Sequence, residues 1–175
     1  QHFKKVAETV DIPIITYNVP GRTGCDLLPA TVKRLAQVPG IAGLKEAKGE
    51  LSRIRELLAL GLPKTFALYS GDDATARESI LLGGHGDISV TANVAPRAMH
   101  AMCAAALTGD ARHAAELDAP LAGLHRDLFV EPNPIPAKWA LHQMKRIPEC
   151  IRLPLVPLAV EHHATVRAAL KTAGV

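Results

Sequence analysis

The chain has 175 residues, 48% hydrophobic and 21% charged, with a formal net charge of +3 and only 3% aromatic residues. That balance belongs to a globular domain with a sizeable aliphatic core, not to a disordered segment. Lys and Arg are interleaved with Asp and Glu, so there is no basic stripe and little to stack on bases, which disfavours nucleic acid as a partner.

In chain order, "QHFKKVAETV" places Phe3, Val6, Ala7 and Val10 at helical spacing. It carries no initiating Met, and the pattern predicts a start inside a longer protein. "IPIITYNV" is a β-branched run between Pro13 and Pro20 and predicts a buried strand. "LPATVKRLAQVP" predicts a helix with Pro29 in its first turn. "GIAGLKEA" predicts a second strand. "LSRIRELLALGL" predicts a helix stopped near Gly61. "TFALYSG" predicts a third strand, "DDATARESILLGG" a helix with Asp72 or Asp73 as N-cap, and "GDISVTA" a fourth strand.

After residue 95 the alternation ends. "PRAMHAMCAAALTG", "DARHAAELDAPLAGLHRDLF", "AKWALHQMKR" and "EHHATVRAALKTAG" predict helices, with the Pro-rich "EPNPIP" as a stiff loop. The division predicted is therefore 1–95 and 96–175. No apolar run approaches the roughly 18 to 20 residues of a membrane span. The three cysteines, Cys25, Cys103 and Cys150, are far apart and odd in number, which fits free thiols in a reducing cytoplasm.

Regular strand–helix alternation implies an α/β parallel sheet with right-handed crossovers. An open doubly wound sheet and part of a (β/α)8 barrel both fit. An open nucleotide-binding sheet should carry GxGxxG or GxxxxGK[ST] after a strand, and neither occurs. In both architectures chemistry sits at the C-terminal ends of the strands.

Those ends gather a distinctive set. The first strand reaches Tyr17 and leads into "NVPGRTG" with Arg22; the second ends in Lys45; the third ends in "SGDD" with Gly71; the fourth carries Ile88. A lysine ending an apolar strand is partly desolvated, which favours its neutral amine. A neutral amine attacks a ketone to form a Schiff base. A phenol such as Tyr17 both donates and accepts protons, and Arg22 offers a planar fork to a carboxylate. Gly71 permits a close approach of backbone to substrate. Taken singly, each has a commoner reading: Lys45 as a solvated strand end, Tyr17 as a rim residue, Arg22 as a loop cation, Asp72 and Asp73 as helix caps. The eight His residues form no HExxH-type pair and read as structural or solvated, and no metal is implied.

Together, "YNVPGRTG", "GLKEA", "SGDD", "GGHGDISVTANVAP" and "FVEPNPIPAKWAL" closely resemble the dihydrodipicolinate synthase family, in matching order along the whole chain. The resemblance implies a pyruvate-dependent class I aldolase on a TIM barrel. Residues 11 to 95 would be the C-terminal half of the barrel, with four parallel strands, and the rest a helical extension. It implies Lys45 as the Schiff-base lysine, Tyr17 as a member of the proton relay and Arg22 as the binder of the aldehyde substrate's carboxylate. Gly71 and Ile88 would line the pyruvate site. The implied reaction condenses pyruvate with L-aspartate 4-semialdehyde in the diaminopimelate route to lysine, in the cytoplasm, without a cofactor, in a homotetramer. The family's first four strands, its "GTTGE"-type loop and the rest of its relay have no counterpart in this chain. A sister N-acetylneuraminate lyase or keto-deoxy-sugar aldolase is the alternative within the fold, and a non-catalytic homologue the alternative outside enzymology. The cation at Arg22 favours an acidic substrate over a neutral sugar chain.

Overall fold

The structure is a computed structural model and describes residues 1–175. The chain forms two compact units, Gln1–Ile88 and Ser89–Val175.

The first unit contains α1 (His2–Thr9), β1 (Ile14–Asn18), α2 (Pro20–Thr23), α3 (Pro29–Leu35), β2 (Ile41–Glu46), α4 (Leu51–Leu58), β3 (Ala67–Ser70), a 3-10 turn over Asp73–Thr75, and α5 (Ala76–Leu81). The strands form one parallel sheet in the order β1-β2-β3. Tyr17 pairs with Lys45, and Lys45 with Tyr69. Register partners in a parallel sheet point to the same face, and successive residues to opposite faces. Thr16, Leu44 and Leu68 therefore share one face with Asn18, Glu46 and Ser70.

That face is the covered one. Leu44 and Leu68 are 0% and 1% exposed and pack with Val32, Ile54, Leu57 and Phe66. Burying a leucine side chain fully contributes about 1.5–3 kcal/mol, so this cluster decides which face meets the helices. The other face carries Ile15, Tyr17, Lys45 and Tyr69, and on it Ile15 and Tyr17 remain 44% and 46% exposed.

The fourth strand expected over "GDISVTA" does not extend. A single parallel bridge joins Ser70 and Asp87, with Ser70 N donating to the Gly86 carbonyl and Ile88 N to the Ser70 carbonyl, each at 2.9 Å. Val90 then takes helical angles, φ −81° and ψ −44°, and a 3-10 turn runs over Thr91–Asn93. The β-branched residues favour a strand, but the Ser89 hydroxyl accepts from Ala92 N at 2.8 Å. That local side-chain bond satisfies the amide of the turn's second residue and competes with a ladder.

The second unit is helical: α6 (Pro96–Leu107), α7 (Ala111–Asp118), α8 (Ala122–Asp127), α9 (Ile135–Gln143) and α10 (Val160–Ala173). The single helix expected from residue 110 to 129 is broken by a 3-10 turn over Ala119–Leu121, where Pro120 has no amide to donate. Met99, Met102, Leu121, Leu124, Leu128 and Val166 are all at most 2% exposed and form its core. Trp139 stacks on His163 with ring centroids 4.5 Å apart. No helix is long and apolar enough to cross a membrane, and all three cysteines are free.

Candidate active site

The first unit presents its polar groups at the C-terminal ends of β1, β2 and β3. Tyr17 and Lys45 are register partners, so their side chains rise side by side from the uncovered face. The Lys45 ammonium nitrogen lies 4.4 Å from the centroid of the Tyr17 ring, within reach of a cation–π contact. Burial pulls the Lys45 pKa below its ordinary 10.5, and the Arg22 charge adds to the lowering, while the carboxylates of Asp87 and Asp73 oppose it. A lysine so placed holds a larger share of neutral, nucleophilic amine than a solvated one.

Gly71 has a specific steric role. Its amide donates to the Glu46 carbonyl at 2.8 Å, bringing its Cα against the Lys45 stem. A Cβ there would sit 2.6 Å from Lys45 Cε and 2.8 Å from both Lys45 Cγ and Ala47 Cβ. The missing side chain is the channel through which the lysine passes.

Arg22 lies on α2, one turn of helix with Pro20 at its start and Gly24 closing it at φ 65°. The "VPGRTG" segment, ordinary in composition, is thus a short helix that lifts Arg22 into solvent. Ile88, 39% exposed, follows the Ser70–Asp87 bridge. The structure therefore gathers Tyr17, Lys45 and Gly71 in contact, keeps Arg22 within electrostatic reach of the lysine, and sets Ile88 beyond the end of β3.

Of the paired acids in "SGDD", Asp72 is a cap: its carboxylate accepts from Thr75 N at 3.1 Å and from the Thr75 hydroxyl at 2.9 Å. Asp73 is buried and acts electrostatically on both Lys45 and Asp87. Asp87 itself is invisible to motif reading. Both its carboxyl oxygens are buried. Burial, and then the neighbouring Asp73, push its pKa up to about 8, against the pull of Ser70 and Lys45. The only sequence signal is an acid at the head of the β-branched "DISV" run.

Behind the sheet, on the covered face, the residues following Tyr17 and Lys45 form a charged network. The Asn18 amide donates to both Glu46 carboxylate oxygens at 3.0 Å and to Asp26 at 2.9 Å. Arg53 of α4 grips Asp26 with a two-pronged contact of 2.8 and 2.6 Å. Burial raises the Glu46 carboxyl, opposed by Asn18, Lys48 and Arg53. Arg53 first, then Asn18, hold Asp26 well below the usual carboxylate range.

In the second unit Thr91, His125 and Asp118 line up like a hydrolytic triad, with Thr91 Oγ1 2.9 Å from His125 Nδ1 and His125 Nε2 3.1 Å from Asp118. Thr91 is 0% exposed, which denies its hydroxyl any substrate and makes the trio a buried tie.

The model of the dihydrodipicolinate synthetase family matches residues 1–173. The chain is 62% identical over 175 residues to the 4-hydroxy-tetrahydrodipicolinate synthase of Methylococcus capsulatus, covering 100% of this chain and 60% of that protein. It is 58% identical over 175 residues to the synthase of Pseudomonas aeruginosa, with 100% and 60% covered. Its fold superposes with a TM-score of 0.96, at 52% identity, on the Acinetobacter baumannii dihydrodipicolinate synthase complexed with pyruvate, covering 99% of this chain and 60% of that one. The Thermotoga maritima dihydrodipicolinate synthase gives a TM-score of 0.95 at 39% identity, with 99% and 60% covered. The chain thus spans about 60% of the length of the relatives it matches. It belongs to the dihydrodipicolinate synthetase family.

Proposed function

We propose that the whole protein of which these residues form the C-terminal part is a 4-hydroxy-tetrahydrodipicolinate synthase, joining pyruvate to L-aspartate 4-semialdehyde. One observation carries the reading: a desolvated lysine amine, 4.4 Å from a tyrosine ring, at the C-terminal end of a parallel strand. The name shared by relatives 56% to 62% identical to this chain supports it.

Neutral Lys45 attacks the ketone carbon of pyruvate, and loss of water leaves an iminium. Removal of a methyl proton gives the enamine, whose carbon attacks the aldehyde to form the new carbon–carbon bond. Tyr17, half exposed beside the amine, carries protons on and off these intermediates. Arg22 receives the carboxylate of the aldehyde substrate through charge-assisted hydrogen bonds. Gly71 and Ile88 border the pyruvate pocket. The cation at Arg22 favours this acidic aldehyde over the neutral chain of a sugar substrate. Residues 11 to 95 then supply the last strand–helix units of a TIM barrel, and 96 to 175 a helical extension, in a cytoplasmic homotetramer.

The test is to incubate the full-length protein with pyruvate and borohydride and to map the adduct by mass spectrometry. The expected adduct is on Lys45 alone, and Lys45→Arg abolishes it, because the guanidinium stays charged. An adduct on another lysine rejects the assignment.

A further inference from the structure

The one-turn helix that carries Arg22 cannot place itself. It has no buried residue, and a single turn is far too short to be stable alone. Its position comes from the base of its loop. There the Asn18 side chain closes the ends together: its carbonyl oxygen accepts from Leu27 N at 2.9 Å, while its amide reaches Asp26 at 2.9 Å. The second hold is Arg53. One guanidinium nitrogen donates to Asp26 Oδ1 at 2.8 Å and to the Leu27 carbonyl at 3.4 Å, and the other to Asp26 Oδ2 at 2.6 Å.

Arg53 is only 6% exposed. Its other contacts are Glu46 at 3.5 Å, next to Lys45 in the chain, and Glu56 at 3.7 Å on its own helix. Lys48 reaches Asp26 more distantly, at 3.8 Å. The guanidinium therefore ties the loop bearing Arg22 to the end of the strand bearing Lys45. A planar fork against a carboxylate fixes direction as well as distance.

We propose that Arg53, through Asp26, is a positioning residue for Arg22 and so for recognition of the second, carboxylate-bearing substrate. It touches neither substrate. It sets the span between the cation that reads the aldehyde and the amine that holds pyruvate. The proposal rests on the reading of Arg22 given above. Because Arg53 holds Asp26 well below the usual carboxylate range, the tie stays ionised throughout the working pH range.

The experiment measures both substrates in the full-length enzyme carrying Asp26→Asn, Arg22→Ala, or both. Asp26→Asn keeps the shape and removes the charge that Arg53 grips. It should raise KM for the aldehyde about tenfold, equivalent to losing part of a charge-assisted hydrogen bond. The rate of borohydride trapping at Lys45 by pyruvate should stay unchanged. In the Arg22→Ala background Asp26→Asn should add less than about twofold, since a residue that acts through Arg22 has nothing left to position. If Asp26→Asn does not fold, Arg53→Lys, which keeps the charge and loses the fork, supplies the same comparison. An effective Arg22→Ala with a silent Asp26→Asn overturns the proposal alone. Fully additive effects, or an equal loss of pyruvate trapping, overturn it too, because they mark general structural damage. An Arg22→Ala enzyme with normal aldehyde KM overturns the reading of Arg22 and this proposal together.

Discussion

Gly71 and Lys45 share a space that admits only one side chain: a Cβ on the glycine would sit 2.6 Å from Lys45 Cε. The glycine backbone is not left-handed, so the constraint is steric. Gly71→Ala must push the lysine stem aside, with Ala47 Cβ blocking retreat at 2.8 Å. Overpacking of this kind costs about 1–3 kcal/mol of stability. Displacing a reacting atom by about 1 Å costs about 100-fold in rate. The full-length variant should therefore fold with a lowered Tm and form the pyruvate adduct about 100-fold more slowly, measured by timed borohydride quenching. An unchanged trapping rate would show that Lys45 does not depend on this channel.

Tyr17→Phe keeps the ring beside the Lys45 amine and removes the hydroxyl. The condensation should slow by about 100-fold or more if the phenol moves protons. Because the ring contact at 4.4 Å survives, stability should barely change. Steady-state turnover with both substrates, beside a thermal melt, separates the two effects.

Asp87 makes stability and reactivity depend on pH in a definite direction. Its folded pKa, pushed up to about 8, lies above the ordinary 3.8. The native state thus binds the extra proton between these values, and stability from this group is full at low pH and is lost as pH rises towards 8. Asp87→Asn removes that loss. Its Tm should exceed the native one at pH 8, and the gap should close towards pH 4. The ionised carboxylate also raises the Lys45 pKa. In the variant the amine should therefore become available at lower pH, shifting the trapping profile to the acid side. Identical melts at pH 8 would show that Asp87 is solvated in the protein.

Much of the candidate site was legible in the sequence because the strands are written plainly. Continuous apolar runs ending in Tyr17 and Lys45 fixed both the strands and their polar ends. What stayed hidden depends on contacts between distant segments. Nothing near Asp26 hints at Arg53, and the short helix of Arg22 reads as an ordinary turn until its two ends are tied. The fourth strand was misjudged in extent because β-branched composition outweighed the one hydroxyl of Ser89 that starts a helical turn. Asp87 escaped because an isolated acid beside a strand usually faces water, and only the fold makes it buried.

The 175-residue chain alone should associate with itself and lack condensation activity. β1 is an open edge strand of the sheet, whereas residues 85 to 88 close the outer side of β3, and Ile15 and Tyr17 are 44% and 46% exposed on one face. Unpaired strand edges and bare apolar faces attract other chains. Light scattering of the isolated chain, with an assay on both substrates, checks this. A stable, active monomer would contradict it.

The loop held at its base by Asn18 separates two tasks that evolution can then vary independently. Its ends are pinned by contacts that do not involve the tip. A side chain built at Gly21 would meet nothing within 4 Å, so the tip is open to larger residues. A lineage can thus exchange the side chains between Pro20 and Thr23 without disturbing the strands that carry Tyr17 and Lys45. On the proposed function, new partners for the Lys45 amine chemistry would arise by changing the tip while the foundation stays the same. Libraries randomised at residues 21 and 22 should hence yield mostly folded variants, which on the proposed function differ in aldehyde preference.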